Sequence, residues 1–216
     1  MATQHSSTPS ISDQPRFVAD DADLFWEKNK SLILATVAIV LIALIGTGIW
    51  WQQRFAQQSA ATELAATGNT AEVWQKVVDT YPTTPAASLC YIHLASQAQQ
   101  KADYTKALGY YETFLKNFPK HPAAPAVRFT RAQLLEATSQ PDQAKAAYLA
   151  ILQARPAQPF AGPAGINLAR IYETAGDLTK ARETLQAVLV IKDEGVAAAE
   201  AQRELDRLKS TFPQAQ

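Results

Sequence analysis

The chain has few of the residues on which most enzyme active sites depend. Its 216 residues include one cysteine, three histidines and eight glycines. A single cysteine excludes an intramolecular disulfide, and Cys90 lies in an apolar stretch typical of a buried, unreactive thiol. His5, His93 and His121 are widely separated in the sequence and show no metal-ligand spacing. We therefore predict no metal and no cofactor.

Sequence motifs of catalysis are also missing. The chain has no glycine-rich phosphate loop, no His-Glu-x-x-His, no Cys-x-x-Cys and no Gly-x-Ser-x-Gly, so we predict that it is not an enzyme. Gly162-Pro-Ala-Gly165 fits a plain helix start better than an anion site. Basic and acidic residues balance at 20 each, without a basic patch, which argues against nucleic-acid binding.

What the sequence does contain is a repeated proline pair. Pro-x-x-Pro begins at Pro82, Pro119 and Pro156, at a constant interval of 37 residues. Proline cannot continue a helix, so each pair predicts the end of one helix and the start of the next. This regular placement favours helix punctuation over an SH3-type ligand. A period of this length indicates a stacked repeat protein.

A pattern of small and large residues recurs within the same period. Each unit has an alanine, a second alanine twelve residues later, and large apolar residues four and seven positions after that. These positions are Ala95, Ala107, Tyr111 and Phe114; Ala132, Ala144, Tyr148 and Ile151; and Ala169, Ala181, Leu185 and Val188. The spacing predicts paired helices that approach closely at alanine and bury one apolar face between neighbouring units.

The unit from Leu168 to Leu185 resembles the tetratricopeptide repeat, with its leucine–alanine pair, Tyr172, the Gly176-Asp177 turn and Ala181. Other units depart from that pattern: Arg131 replaces leucine, Ser139 replaces glycine, and Thr70 stands at an alanine position. The resemblance implies an all-α fold, an α-solenoid of helical hairpins over residues 53–216. A capping helix is predicted at about 196–212.

Upstream of the repeats lies a long apolar run. No charged residue occurs between Ser31 and Gln53, and Phe25-Trp26 and Trp50-Trp51 flank the run as interfacial aromatic residues do. We predict a transmembrane helix over residues 31–52, crossing the lipid bilayer through Ser31–Trp51. Its length and its tryptophan-rich end favour an uncleaved anchor over a signal peptide.

The residues that flank this run predict its orientation. Arg16, Lys28 and Lys30 precede it, whereas Arg54 is the one basic residue in the twenty that follow, so the positive-inside rule places the N-terminus in the cytoplasm. Residues 1–30 read as a disordered cytoplasmic tail. The predicted location is a bacterial inner membrane, with a single pass and a periplasmic repeat domain. Ala43-x-x-x-Thr47 adds a weak signal for a homo-oligomer.

The resemblance to tetratricopeptide repeats also implies a binding surface, since the first helix of each pair lines a concave groove in that family. Carried over by register, the groove positions are Ile92, Ser96, Gln99, Phe129, Gln133, Glu136, Ile166, Arg170 and Glu173. Core packing is the alternative for the apolar row Ile92, Phe129 and Ile166. Asn167 and Arg170 are the candidates for gripping a partner's carboxylate. Such a groove suits an extended peptide or a helix.

The order of parts resembles a second family. The stretch Phe25-Trp-Glu-Lys-Asn-Lys30, one span with a closing Trp-Trp, and an exported repeat domain are similar to the ancillary subunits of the bacterial SecYEG translocon. That resemblance implies translocon subunits, a periplasmic chaperone or unfolded exported chains as partners. Two alternatives remain open: an envelope or cell-division scaffold, and an organelle import receptor of opposite topology.

Overall fold

The computed structural model describes residues 19–154, 159–191 and 195–212. These residues form nine helices without a strand, as the sequence predicts. Their bounds are α1 Ala19–Ala66, α2 Ala71–Thr80, α3 Pro85–Gln100, α4 Tyr104–Asn117, α5 Ala124–Ala137, α6 Pro141–Ala154, α7 Ala161–Thr174, α8 Leu178–Leu189 and α9 Gly195–Thr211. His5, residues 1–18 of the predicted tail, and Pro156 lie outside the described residues.

The chain divides into two compact units, residues 1–56 and 57–216. The described part of the first unit, residues 19–56, belongs to α1, so residues 19–30 are helical where disorder was predicted. Three aspartates fall within its first turns, and acidic residues favour the positive end of a helix dipole. The stretch Phe25–Ala66 is long and apolar enough to cross a membrane.

Polar groups inside the apolar part of α1 are satisfied by the helix itself. The Thr36 hydroxyl donates to the carbonyl of Leu32 at 2.6 Å, and the Thr47 hydroxyl donates to that of Ala43 at 2.9 Å. A hydroxyl bonded in this way is tolerated in hydrocarbon, where an unsatisfied one costs several kcal/mol. The two threonines are therefore compatible with a lipid environment.

The helix extends beyond residue 52, where the membrane-crossing segment is predicted to end. Helix α1 continues to Ala66, because the sequence from Gln52 to Ala66 contains neither proline nor glycine. Within the second unit, Leu64 and Ala65 pack with residues of α2 and α3 in the first core cluster. Leu64 and Ala65 at the end of α1 therefore belong to the core of the repeat domain.

The 37-residue period is visible in the helices themselves. The second helices of three units begin at Tyr104, Pro141 and Leu178, each 37 residues after the one before. The predicted seam residues are all buried: Ala95, Ala107, Tyr111, Phe114, Ala132, Ala144, Tyr148, Ile151, Ala169, Ala181, Leu185 and Val188. They are distributed over three successive core clusters, as expected of stacked hairpins.

Prolines and threonines set the helix starts. Pro85 opens α3 behind Thr84, whose side chain caps the helix by accepting from the Ala87 N–H. Thr70 caps α2 in the same way and accepts from the Val73 N–H. This explains its departure from the alanine pattern, because Thr70 precedes the helix instead of packing inside it.

Helix α9 closes the array. Its inward face buries Ala197, Ala201, Leu205 and Leu208, whereas Gln202 and Lys209 on the other face are exposed. A helix with a polar outer face covers the apolar end of a solenoid without exposing further apolar surface. The predicted capping helix is confirmed.

Candidate protein-binding groove

The apolar row of the predicted groove is engaged in packing. Ile92, Phe129 and Ile166 are each half-buried against one of the three core clusters. The Phe129 ring stacks on Phe160 with a centroid distance of 5.2 Å and lies tilted against Tyr148 at 6.0 Å. These residues contribute to core packing and are only partly accessible on the first-helix face.

The polar row at Gln99, Glu136 and Glu173 is fixed by contacts from other helices. Tyr111 donates its hydroxyl to Gln99 Oε1 at 3.0 Å, and Tyr148 donates to Glu136 Oε2 at 2.9 Å. Both tyrosines lie twelve residues after their partner, on the second helix of the same unit. This row is therefore held in place by side chains that rise from the core.

Glu136 is the centre of a polar network that joins α5, α6 and α7. The Arg170 guanidinium donates to Glu136 Oε1 at 3.1 Å and to Asn167 Oδ1 at 3.0 Å. Asn167 Nδ2 in turn donates to the Tyr148 hydroxyl at 3.3 Å. Burial, and next the hydrogen bond to Glu136, raise the pKa of Tyr148 well above its usual value, so the phenol stays a donor. The network presents Arg170 at the surface in a defined position.

The last unit replaces the tyrosine by Leu185, and its glutamate finds a different partner. Arg207 on α9 donates to Glu173 Oε1 at 2.9 Å and to Oε2 at 2.6 Å. These bonds lower the pKa of Glu173. Arg207 lies 37 residues after Arg170, so α9 continues the register of the first helices.

A cavity of about 590 Å³ opens between α7 and α9. Three predicted site residues, Ile166, Arg170 and Glu173, line it. The rest of its lining mixes apolar and charged side chains: Ala169, Thr174, Leu185, Glu200, Glu204, Arg207, Leu208 and Phe212. Its chemistry suits a peptide that brings an apolar side chain together with polar or charged groups.

The structure brings the ten predicted groove residues together only in part. Glu136, Asn167 and Arg170 share the network, and Arg170 also lines the α7–α9 cavity. Gln133 is exposed one turn after Phe129 on α5, and Ser96 is half-buried on α3, away from that cavity. Of the ten, Gln133 and Arg170 are exposed, and the other eight are half-buried.

Sequence reasoning missed Arg207 and the polar role of Tyr148. Arg207 was overlooked because α9 was treated as a cap outside the repeat, although Leu205 and Arg207 follow Leu168 and Arg170 by 37 residues. Tyr148 was assigned to the apolar seam. Its ring is buried in that seam, and its hydroxyl donates a hydrogen bond to Glu136.

The site offers no sign of catalytic chemistry. Within the described ranges, no group of three or more histidine, cysteine, aspartate or glutamate side chains is arranged to hold a metal ion. Cys90 is buried, and desolvation raises the pKa of its thiol, which keeps it protonated and unreactive.

Solved structures share this architecture. A putative kinesin light chain from Podosopora anserina with nearly identical TPR-like repeats is 21% identical, with a TM-score of 0.51 over 76% of this chain and 88% of that one. A tetratricopeptide repeat protein from Parabacteroides merdae is 15% identical, with a TM-score of 0.53 over 75% of this chain and 62% of that one. These likenesses concern the fold.

Among curated proteins no sequence matches this chain. One family model does match, and it covers residues 24–204, which include the apolar helix as well as the repeats. Repeats of this kind generally serve as non-catalytic scaffolds for protein–protein interaction. The chain belongs to the tetratricopeptide repeat-like domain family.

Proposed function

We propose that this protein is a membrane-anchored protein-binding module that assists the protein-translocation channel from the periplasmic side of a bacterial inner membrane. The observation that supports this function most directly is that one family match includes both an apolar helix and the repeats. An apolar helix able to cross a membrane and most of the repeat array lie within residues 24–204. An anchor raises the effective concentration of a weak groove near its client.

The α7–α9 cavity and the adjoining network are the proposed contact site. Arg170 and Glu173 supply opposite charges at its edge, and Ile166 supplies an apolar floor. Emerging exported chains, a periplasmic chaperone or a translocon subunit would each offer a segment of mixed chemistry. Since Glu136 and Asn167 hold Arg170 in place, little side-chain entropy is lost when a partner engages it.

Site-specific photocrosslinking tests this proposal. Thr174 is exposed and lines the α7–α9 cavity, so a photoreactive residue there reports on the groove better than one at half-buried Phe129. Gln186, exposed on α8, is the matched control on the second-helix side. We expect translocon subunits, a chaperone or exported chains to be captured from position 174 and not from 186. Capture of cell-wall or division proteins would assign the protein to the envelope scaffolds instead.

Cysteine labelling tests the orientation separately. Cys90 is buried and gives little background, so single cysteines at Glu27 and Gln100, both exposed, can be compared with a membrane-impermeant maleimide. We expect E27C to react only after the inner membrane is lysed and Q100C to react in cells with a permeabilised outer membrane. The reverse pattern would place the repeats in the cytoplasm, as an import receptor requires.

A further inference from the structure

A second cavity in the repeat domain is lined by residues of α4, α5 and α6 and by Pro159. It has a volume of about 480 Å³, and we name it the arginine pocket. Its lining consists of Leu115, Pro125, Arg128, Arg131, Ala147, Ala150, Ile151, Ala154 and Pro159. The arginine pocket shares no lining residue with the groove proposed above.

The arginine pocket coincides with a departure from the repeat pattern. Leu94 and Leu168, which are buried, occupy the same position in the neighbouring units as Arg131 does in this one. Arg131 is half-buried and donates from Nη2 and Nε to Glu112 Oε1 on α4, at 2.8 and 3.2 Å. Arg131, paired with Glu112 of α4, thus stands where the neighbouring units have a buried leucine.

The charge of the arginine pocket has one sign. Arg128 and Arg131 are its charged lining residues, and none of the described residues that line it is acidic. The bonds to Glu112 use two of the five N–H donors of Arg131, and Arg128 donates through Nη2 to the Pro119 carbonyl at 3.0 Å. With Glu112 counted, the pocket still carries net positive charge.

Apart from the two arginines, the lining of the pocket is apolar, and part of it is exposed to solvent. Leu115 and Ile151 form its walls, and Ala150 and Ala154 are exposed at α6. The α7–α9 cavity, by contrast, is lined by both arginines and glutamates. Two guanidinium groups above an apolar floor match a segment that carries a carboxylate beside a leucine-sized side chain.

We propose that the arginine pocket is a second docking surface, which takes an acidic amphipathic segment of a partner protein. Its apolar side chains sit on Leu115 and Ile151, and its carboxylates bind Arg128 and Arg131. Arginine is among the residues enriched at the positions that contribute most to protein–protein binding. The protein then binds one partner in the groove and another in the arginine pocket.

The test uses the full chain in nanodiscs of zwitterionic lipid and two labelled twelve-residue helical peptides. Both carry leucines at the same positions, and the polar positions are glutamate in one and glutamine in the other. We expect the glutamate peptide to bind about tenfold more tightly, and the preference to fall as salt is added. Equal binding of the two peptides would overturn the proposal.

Variants locate the bound peptide. R128Q removes a charge from the arginine pocket, and A150E places a carboxylate at its exposed edge; each is expected to weaken binding about fivefold. R203Q, at an exposed position of α9 outside the pocket, is the charge-matched control and should leave binding unchanged. R131L restores the usual leucine, so it should lower binding while the fold stays intact.

Three outcomes would assign the peptide or the pocket elsewhere. Loss of binding in R170Q, with R128Q and A150E unaffected, would place the peptide in the α7–α9 cavity. Binding unchanged in every variant would show a nonspecific contact. A change in the oligomeric mass of the unliganded protein on A150E substitution would show that a second copy occupies the pocket. Each of these overturns the proposal.

Discussion

Arg207 pairs with Glu173 at the same sequence distance of 34 residues at which Arg170 pairs with Glu136. Each pair joins the first helices of two successive units, because the arginine lies one turn before the position equivalent to its glutamate. The two pairs therefore form a short ladder along the first-helix face. The ladder extends to α9, which belongs to the repeat register and does more than cover the end of the array.

The Arg207–Glu173 pair predicts a specific acid sensitivity. Arg207 lowers the pKa of Glu173, and a carboxyl whose folded-state pKa is lowered adds stability above its unfolded pKa of about 4.3. That stability is lost as the pH falls through the folded-state pKa. We expect R207Q to reduce the free energy of unfolding by about 1 kcal/mol at pH 7, and by much less at pH 3.

Urea unfolding at both pH values, followed by circular dichroism in detergent micelles, measures this difference. The control is K209Q, which removes the Lys209–Asp206 pair at 3.7 Å, where both side chains are more than half exposed. K209Q should change little at either pH. A deficit in R207Q that is equal at pH 7 and pH 3 would show that Arg207 acts through packing instead of through its charge pair.

The two buried tyrosines predict unequal costs for the same substitution. Tyr148 donates to the Glu136 carboxylate, and Tyr111 donates to the neutral Gln99 amide. Hydrogen bonds to charged groups contribute about 1.5–3 kcal/mol, against about 0.5–1.5 kcal/mol for neutral ones. We expect Y148F to lose more stability than Y111F in urea unfolding. Equal losses would mean that Arg170 alone satisfies Glu136 and that the phenol is dispensable.

Much of the fold was predictable because the same sequence pattern recurs in each repeat. Proline pairs mark helix boundaries through backbone chemistry, and alanine at the seam is required wherever two helices approach closely. The predicted seam positions are accordingly buried without exception. The end of α1 was harder to predict, since alanine and glutamine continue a helix regardless of whether lipid or protein surrounds it.

The candidate site was less predictable for a geometric reason. Register identifies which face of a helix a residue occupies, but not what the neighbouring loops bring against that face. Phe129 is half-buried because Phe160, in the left-handed region at φ 74°, stacks on it from the segment before α7. Arg128 and Arg131 become a surface of one charge only when α4 and α6 are placed on either side of them.

Gly165 illustrates a role that its motif did not reveal, and it gives a third prediction. A Cβ at this position would lie 2.3 Å from Val188 Cγ2 and 3.4 Å from Leu152 Cδ1. Val188 is fully buried and β-branched, so it cannot move away at low cost. Overpacking of this kind costs about 1–3 kcal/mol, more than the gain of about 1 kcal/mol from replacing a helical glycine.

We therefore expect G165A to lower the free energy of unfolding, measured by urea titration. Gly109 on α4 is the matched control, because a Cβ there meets nothing within 4 Å. G109A should gain stability from helix propensity alone, so the two variants should change in opposite directions. A gain in G165A as large as that in G109A would show that α7 and α8 move apart easily.

The turns between the two helices of each unit give the last prediction. Ala102, Ser139 and Gly176 stand 37 residues apart, and all three have positive φ, at 58°, 57° and 80°. The residue after each donates its N–H back to the end of the first helix at 2.8–2.9 Å, so the turn is the same although the residue differs.

A left-handed conformation costs an L-residue about 1–2 kcal/mol, which glycine avoids at some cost in unfolded-state entropy. A102G and S139G should therefore each raise the free energy of unfolding by about 0.5–1 kcal/mol, and G176A should lower it by a similar amount. All three positions are exposed, so packing does not confound the comparison. If S139G instead destabilised the protein in urea unfolding, the entropy of glycine in the unfolded chain would outweigh the strain of the turn.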